Sequence, residues 1–143
     1  MNLSVVAIVI SALSLFVSIW ALLRDRSRLK IYSSFYPGHE DYGPPGIKFK
    51  AVNKGRRPIY IRSIGGDLEE NGWQAQHIGE GEFGKKLEEN QYIEEYWDKN
   101  DLVAEAPDFT DRFVSIWLED SLGRRHKVPR SKRYIRRLKS SNN

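Results

Sequence analysis

The 143-residue chain contains no cysteine. Disulfides, thiolate nucleophiles and cysteine-ligated zinc are therefore excluded. Its three histidines, His39, His77 and His126, show no H-x-x-x-H or H-x-E spacing. Nothing local predicts a metal site, and no cofactor is expected. No nucleophile–base pair is visible, so a non-enzymatic role is expected. The chain lacks the alternating strand–helix rhythm of a parallel sheet, and it has no internal repeat. Leu3 to Leu23 lacks any charge, proline or glycine over 21 residues.

That last absence is the strongest signal. At about 1.5 Å per residue the run reaches roughly 31 Å, enough to cross a hydrocarbon core. No Lys or Arg precedes it and no Ala-x-Ala-like site precedes Arg24, so the expectation is a retained anchor rather than a cleaved signal. Within it Ser4, Ala7, Ser11, Ser14, Ser18 and Ala21 recur at spacings of three and four. Small residues let helix backbones approach in lipid, and the spacing keeps one seam toward a partner. The expectation is a span that pairs with itself or with a helix of another membrane protein. An unpaired anchor whose serines bond back to their own helix is the alternative.

Charge is distributed unevenly. Arg24, Arg26, Arg28 and Lys30 against Asp25 give +3 just after the span. Residues 124–139 hold nine Lys/Arg and no acid, and residues 31–123 carry ten against 18 Asp/Glu. An acidic body thus lies between two basic ends. Cations beside a span stay cytoplasmic by bias, which puts the N-terminus outside and the domain inside. Both basic ends, Arg133, Arg136 and Arg137 included, would suit an anionic leaflet, or simply form a solvated tail. Nucleic-acid binding by RSKRYIRRLKS is opposed by the acidic body.

The layout predicts an anchor over 1–23, a basic linker over 24–30, a domain over 31–130 and a basic helix and tail over 131–143. Strands are expected at Leu29–Phe35, Ile47–Val52, Ile59–Ile61, Trp73–Ile78, Tyr92–Trp97, Phe113–Glu119 and Arg124–Val128. In Ile47–Val52, Ile47, Phe49 and Ala51 should face inward and Lys48 and Lys50 outward. Glu69-Glu70-Asn71-Gly72 is a hairpin turn by composition. Asp98–Glu105 is at best a short helix stopped by Pro107. Seven short strands at this spacing argue for an antiparallel sandwich.

Gly79 to Gly84 matches G-x-G-x-x-G. No βαβ unit surrounds it, and its glutamates would repel a pyrophosphate, so it reads as a surface loop. Glu88-Glu89 and Glu94-Glu95 form either a solvated acidic face or a partner-facing one. Glu94 and Glu95 in one strand would point to opposite faces and cannot converge on a substrate. Phe113 and Trp117 share a strand face. They are either an exposed partner anchor or, as preferred, covered by the terminal helix through Tyr134, Ile135 and Leu138.

Val52-Asn53-Lys54-Gly55-Arg56-Arg57-Pro58-Ile59-Tyr60-Ile61 resembles the V-x-N-x-G-R-x-P-I-x-I signature of small bacterial and prophage membrane proteins. Asp120-Ser121-Leu122-Gly123-Arg124-Arg125-His126-Lys127-Val128 is similar to their closing hairpin. The resemblance implies one N-terminal span and an immunoglobulin-like sandwich in the inner membrane. It also implies protein binding, with superinfection exclusion, the blocking of phage genome entry, as the most concrete form. It carries over no functional residues. A membrane-tethered scaffold or accessory subunit of an envelope complex is the alternative.

Overall fold

The computed structural model describes residues 3–41, 43–70, 72–79, 81–106 and 109–140. Asn71 of the expected turn, Glu80, Pro107 and residues 141–143 of the expected tail lie outside them. The described residues form two helices and ten strands. Helix α1 spans Leu3–Arg24. The strands are β1 (Leu29–Tyr36), β2 (Gly46–Asn53), β3 (Ile59–Asp67), β4 (Trp73–His77) and β5 (Lys85–Leu87), then β6 (Tyr92–Asp98), β7 (Val103–Ala106), β8 (Phe109–Arg112), β9 (Trp117–Asp120) and β10 (Arg125–Lys127). Helix α2, Ser131–Ser140, closes the described chain.

The fold is mainly β and antiparallel. One sheet runs β1-β2-β6; the other runs β10-β9-β3-β4, with β5 continuing the β4 edge of β3. Taken as strands A, B, C, C′, E, F and G, β1, β2, β3, β4, β6, β9 and β10 give A-B-E and G-F-C-C′. That is the order of an immunoglobulin-like sandwich. The period-two pattern of β2 puts Ile47, Phe49 and Ala51 in the core and leaves Lys48 exposed and Lys50 half-buried. They meet Ile61 and Ile64 of β3, Ile93 of β6 and Leu118 of β9 in one cluster. Ile135 and Leu138 of α2 join it, each adding about 2 kcal/mol by burial.

Two expected elements are different. Asp98–Glu105 is not a helix. Asp98 Oδ1 accepts the amides of Asn100 (2.7 Å) and Asp101 (3.2 Å), a side-chain-capped turn, and the chain then enters β7, which pairs with β8. The expected strand Phe113–Glu119 shrinks to Trp117–Asp120. Upstream, backbone donors go elsewhere: Phe113 N to Leu102 O, Val114 N to Asp67 O, Ile116 N to Ser131 Oγ. Phe113 keeps only an isolated bridge to Leu68.

Candidate functional site: the helix junction and the arginine face

Helix α1 is apolar from Leu3 to Leu23, with mean hydropathy 2.6 and no buried share. Nothing in the described chain covers it, and it is long enough to cross a membrane. Ser4, Ala7, Ser11, Ser14, Ser18 and Ala21 are all exposed on it. Ser11 Oγ donates to Ala7 O and Ser18 Oγ to Ser14 O, both at 2.8 Å. This is the back-bonding an unpaired anchor shows, although a hydroxyl so engaged still accepts a bond from a neighbouring helix.

The junction between helix and sandwich is built by the Val52–Ile61 stretch. Asn53 is fully buried. Its Nδ2 donates to Arg57 O (2.8 Å) and Leu87 O (3.0 Å), and its Oδ1 accepts Gly55 N (2.9 Å). The loop is thereby tied to itself and to β5. Gly55 lies so close to the chain entering β1 that a Cβ would overlap the backbone of Arg26 and Arg28. Lys54 N donates to Arg28 O (2.7 Å). Arg57 grips Asp25 through Nε (2.9 Å) and Nη2 (2.7 Å). The sandwich therefore sits directly on the end of α1.

The β9–β10 turn is at the same end. Asp120 Oδ1 accepts the amides of Leu122 (2.9 Å) and Arg124 (3.0 Å), and Oδ2 meets His126 Nε2 at 2.9 Å. Burial pushes this carboxyl up. The His126 bond and the two amides outweigh that and leave it below the usual aspartate range. Arg56 lines a groove with Val17, Trp20, Ala21, Leu22 and Asp25. Arg124 lines another with Leu22, Asp25, Arg26, Ser27 and Arg57. The fold thus adds Arg56, Arg57 and Arg124 to the expected basic set of Arg24, Arg26, Arg28 and Lys30. The two sequence stretches are 67 positions apart at Arg57 and Arg124, and only strand pairing brings them together.

The terminal basic segment lies elsewhere. Helix α2 buries Ser131, Ile135 and Leu138 and exposes Arg133, Arg136 and Arg137. Tyr134 packs against Phe35, Arg137 stacks on the Phe35 ring at 4.3 Å, and Lys139 pairs with Glu69. Phe35 is six residues along β1 from Leu29, about 20 Å at strand rise. The two basic ends are thus at opposite ends of the sandwich. One leaflet would meet both ends only with β1 lying along its surface; the alternative of a solvated tail needs no such contact. An open groove lined by Ser33, Ser34, Arg130, Arg133, Arg136 and Arg137 runs between β1 and α2. Among the described residues, no carboxylate pairs with any of these four arginines.

Phe113 and Trp117 are not an exposed anchor. Both are buried, at 6% and 1% exposure. Their cover also differs from the expected one. Phe113 meets Trp97 with ring centroids 5.5 Å apart. Trp117 lies under Trp73 and Arg125, with its Nε1 donating to Asp67 Oδ1 (3.2 Å). Tyr134 meets Phe35 instead.

The remaining motifs are spread over the sandwich. The residues after Gly79 run into β5, not into a helix, and Gly79, Gly81 and Gly84 all take positive φ. Glu94 is exposed and pairs with Lys48; that bond holds its carboxyl below the usual range. Glu95 is half-buried, and burial raises it. His39, His77 and His126 sit apart, beside Asp41, Gly81 O and Asp120. No cluster of metal-binding side chains occurs among the described residues. No family model matches the chain, and neither a characterised protein nor a solved structure is significantly similar to it.

Proposed function

We propose that this chain is a non-enzymatic, single-span protein of the bacterial inner membrane that binds another membrane or envelope protein. The carrying observation is α1: an uncharged, predominantly apolar run of 21 residues, wholly uncovered, joined without slack to a folded sandwich. A soluble protein would have to hide that surface. Arg133, Arg136 and Arg137, presented at the far end from the anchor, suit an acidic surface on the partner. The resemblance of Val52–Ile61 and Asp120–Val128 gives this reading its most concrete form, superinfection exclusion.

The test is made in cells producing the full chain. The protein should resist carbonate extraction, and crosslinking should capture a stoichiometric partner. Release by carbonate overturns the membrane reading. Under the exclusion form, phage adsorb normally but their DNA does not enter. Normal infection by every phage tried, with a partner still captured in uninfected cells, would replace exclusion by an accessory-subunit role.

A further inference from the structure

We propose that the helix-proximal end of the sandwich is a lipid-binding surface, in which Leu122 enters the interfacial layer of an anionic leaflet and Arg56 and Arg124 hold its phosphate headgroups. The proposal rests on α1 spanning the bilayer.

Three observations carry it. First, depth. Arg56 shares a groove with Val17, Trp20, Ala21 and Leu22. Val17 lies about 9 Å before the last apolar residue of the span, at 1.5 Å per residue. An arginine alongside that stretch of a spanning helix is at headgroup level, with its stem on apolar surface and its guanidinium toward phosphate. Arg124 reaches the same zone beside Leu22.

Second, rigidity. The Leu122 turn does not hang loose. Asp120 Oδ1 takes the Leu122 and Arg124 amides, Gly123 N bonds Asp120 O (2.9 Å), and Ser121 N bonds Tyr60 O (2.9 Å). Gly123 supplies the positive φ, 75°, that closes the turn. The pinned tip presents a leucine at 73% exposure. A lone exposed leucine needs no explanation on a free surface. Here it is two residues from an arginine that lines a groove with Leu22 of the membrane helix.

Third, charge and reach. Arg26, Arg28, Lys54, Arg56 and Arg124 are all exposed at this end. Asp25 is engaged by Arg57. Only Arg26, Ser27 and Arg28 lie between the Asp25 turn after α1 and β1. That linker holds the loops near the headgroups, so docking needs only a small tilt of the sandwich. A protein occupant would have to displace lipid from around the anchor, whereas anionic headgroups are already there.

The absence of cysteine makes the test clean. Full-length Leu122→Cys, Leu13→Cys and Asp41→Cys variants are each spin-labelled in vesicles of phosphatidylcholine mixed with anionic phosphatidylglycerol. Accessibility to oxygen and to a water-soluble nickel chelate is compared. The label at Leu122 should favour oxygen, as at Leu13, while the label at Asp41 favours nickel. Each arginine near an anionic surface changes the docked-to-undocked ratio about fivefold, so adding Arg56→Gln and Arg124→Gln should lower it about 30-fold. The Leu122 label should then move toward nickel. A nickel-accessible Leu122 with a buried Leu13 overturns the proposal alone. Protection of Leu122 from both reagents means protein covers it and also overturns it. An unchanged Leu122 label in the glutamine variant overturns the headgroup assignment. Nickel access at Leu13 overturns the spanning reading itself.

Discussion

Asn53 and Asp120 are the two polar residues on which the helix-proximal end depends, and both are buried. Each replaces missing backbone pairing in a turn with side-chain bonds. Asn53→Ala would leave the Leu87 and Arg57 carbonyls and the Gly55 amide without their partner. Losing a buried partner costs about 1–3 kcal/mol. Urea unfolding of the full chain in detergent should show a loss of at least about 2 kcal/mol, since three bonds go together. An unchanged midpoint would mean that the loop does not need its amide. Asp120 adds a pH dependence. Its folded carboxyl lies below the ordinary 3.8. Its contribution is therefore complete above about 3.8, the unfolded value, and is lost as pH falls through the lower folded value. Asp120→Asn should be less stable than the parent at pH 7, with the difference shrinking near pH 3. A constant difference between the two pH values would remove the carboxylate from the account.

Among the elements, the two helices present the surfaces on which the proposed binding would depend. If the small seam of α1 pairs, Ser11→Leu with Ser14→Leu should abolish association. Each contact in a membrane helix pair contributes only about 0.6 kcal/mol, but two leucines also force the backbones apart. Förster transfer between labelled full-length chains in bilayers, or capture of the partner, reads this out. Unchanged transfer and capture would leave Ser11 and Ser18 with no role beyond the back-bonds to Ala7 and Ser14. On α2, Arg133→Glu with Arg136→Glu should cut partner capture at least tenfold without unfolding the helix, because its buried face is Ser131, Ile135 and Leu138. Equal capture would move the binding surface off α2. These helices were legible in the sequence because each carries its own pattern: an uninterrupted apolar run, and an Ile135/Leu138 stripe among cations. Strands β1, β2 and β6 were legible through period-two alternation and bounding turns. Trp117 shows why others were not. It buries against Trp73 and Arg125 on the outer face of its sheet, so β9 has no wet side and its alternation loses meaning. β7 was missed because Val103–Ala106 is a strand only by virtue of Phe109–Arg112, and the pairing that decides it is not written in either segment alone. The basic junction was half legible. Arg24 to Lys30 stands out as a run, whereas Arg56, Arg57 and Arg124 join it only through the sandwich topology.

At the scale of the molecule, the sandwich is a polar body with two chemically different ends. One end sits on the anchor and carries Arg26, Arg28, Lys54, Arg56 and Arg124. The other carries the arginines of α2, some 20 Å away along β1 at strand rise. This arrangement makes sidedness decisive. Lys and Arg within 15–20 residues of a span bias that flank to the cytoplasm. Here Arg24, Arg26, Arg28 and Lys30 follow the apolar run that ends at Leu23, and Met1 and Asn2 before it carry no cationic side chain. Paired C-terminal reporter fusions, one active only inside and one only outside, should therefore give an inside signal. Replacing Arg26, Arg28 and Lys30 with Gln while adding three Lys before Leu3 should shift a measurable fraction to the outside. An outside signal from the parent chain would reverse the charge argument. The lipid-facing end would then meet the outer leaflet of the inner membrane, and the α2 arginines would face the envelope, where an incoming phage tail arrives. An inside signal places those arginines toward cytoplasmic segments of membrane proteins. Acidic partners should then be sought there, and genome entry, if blocked, would be blocked from the inner face.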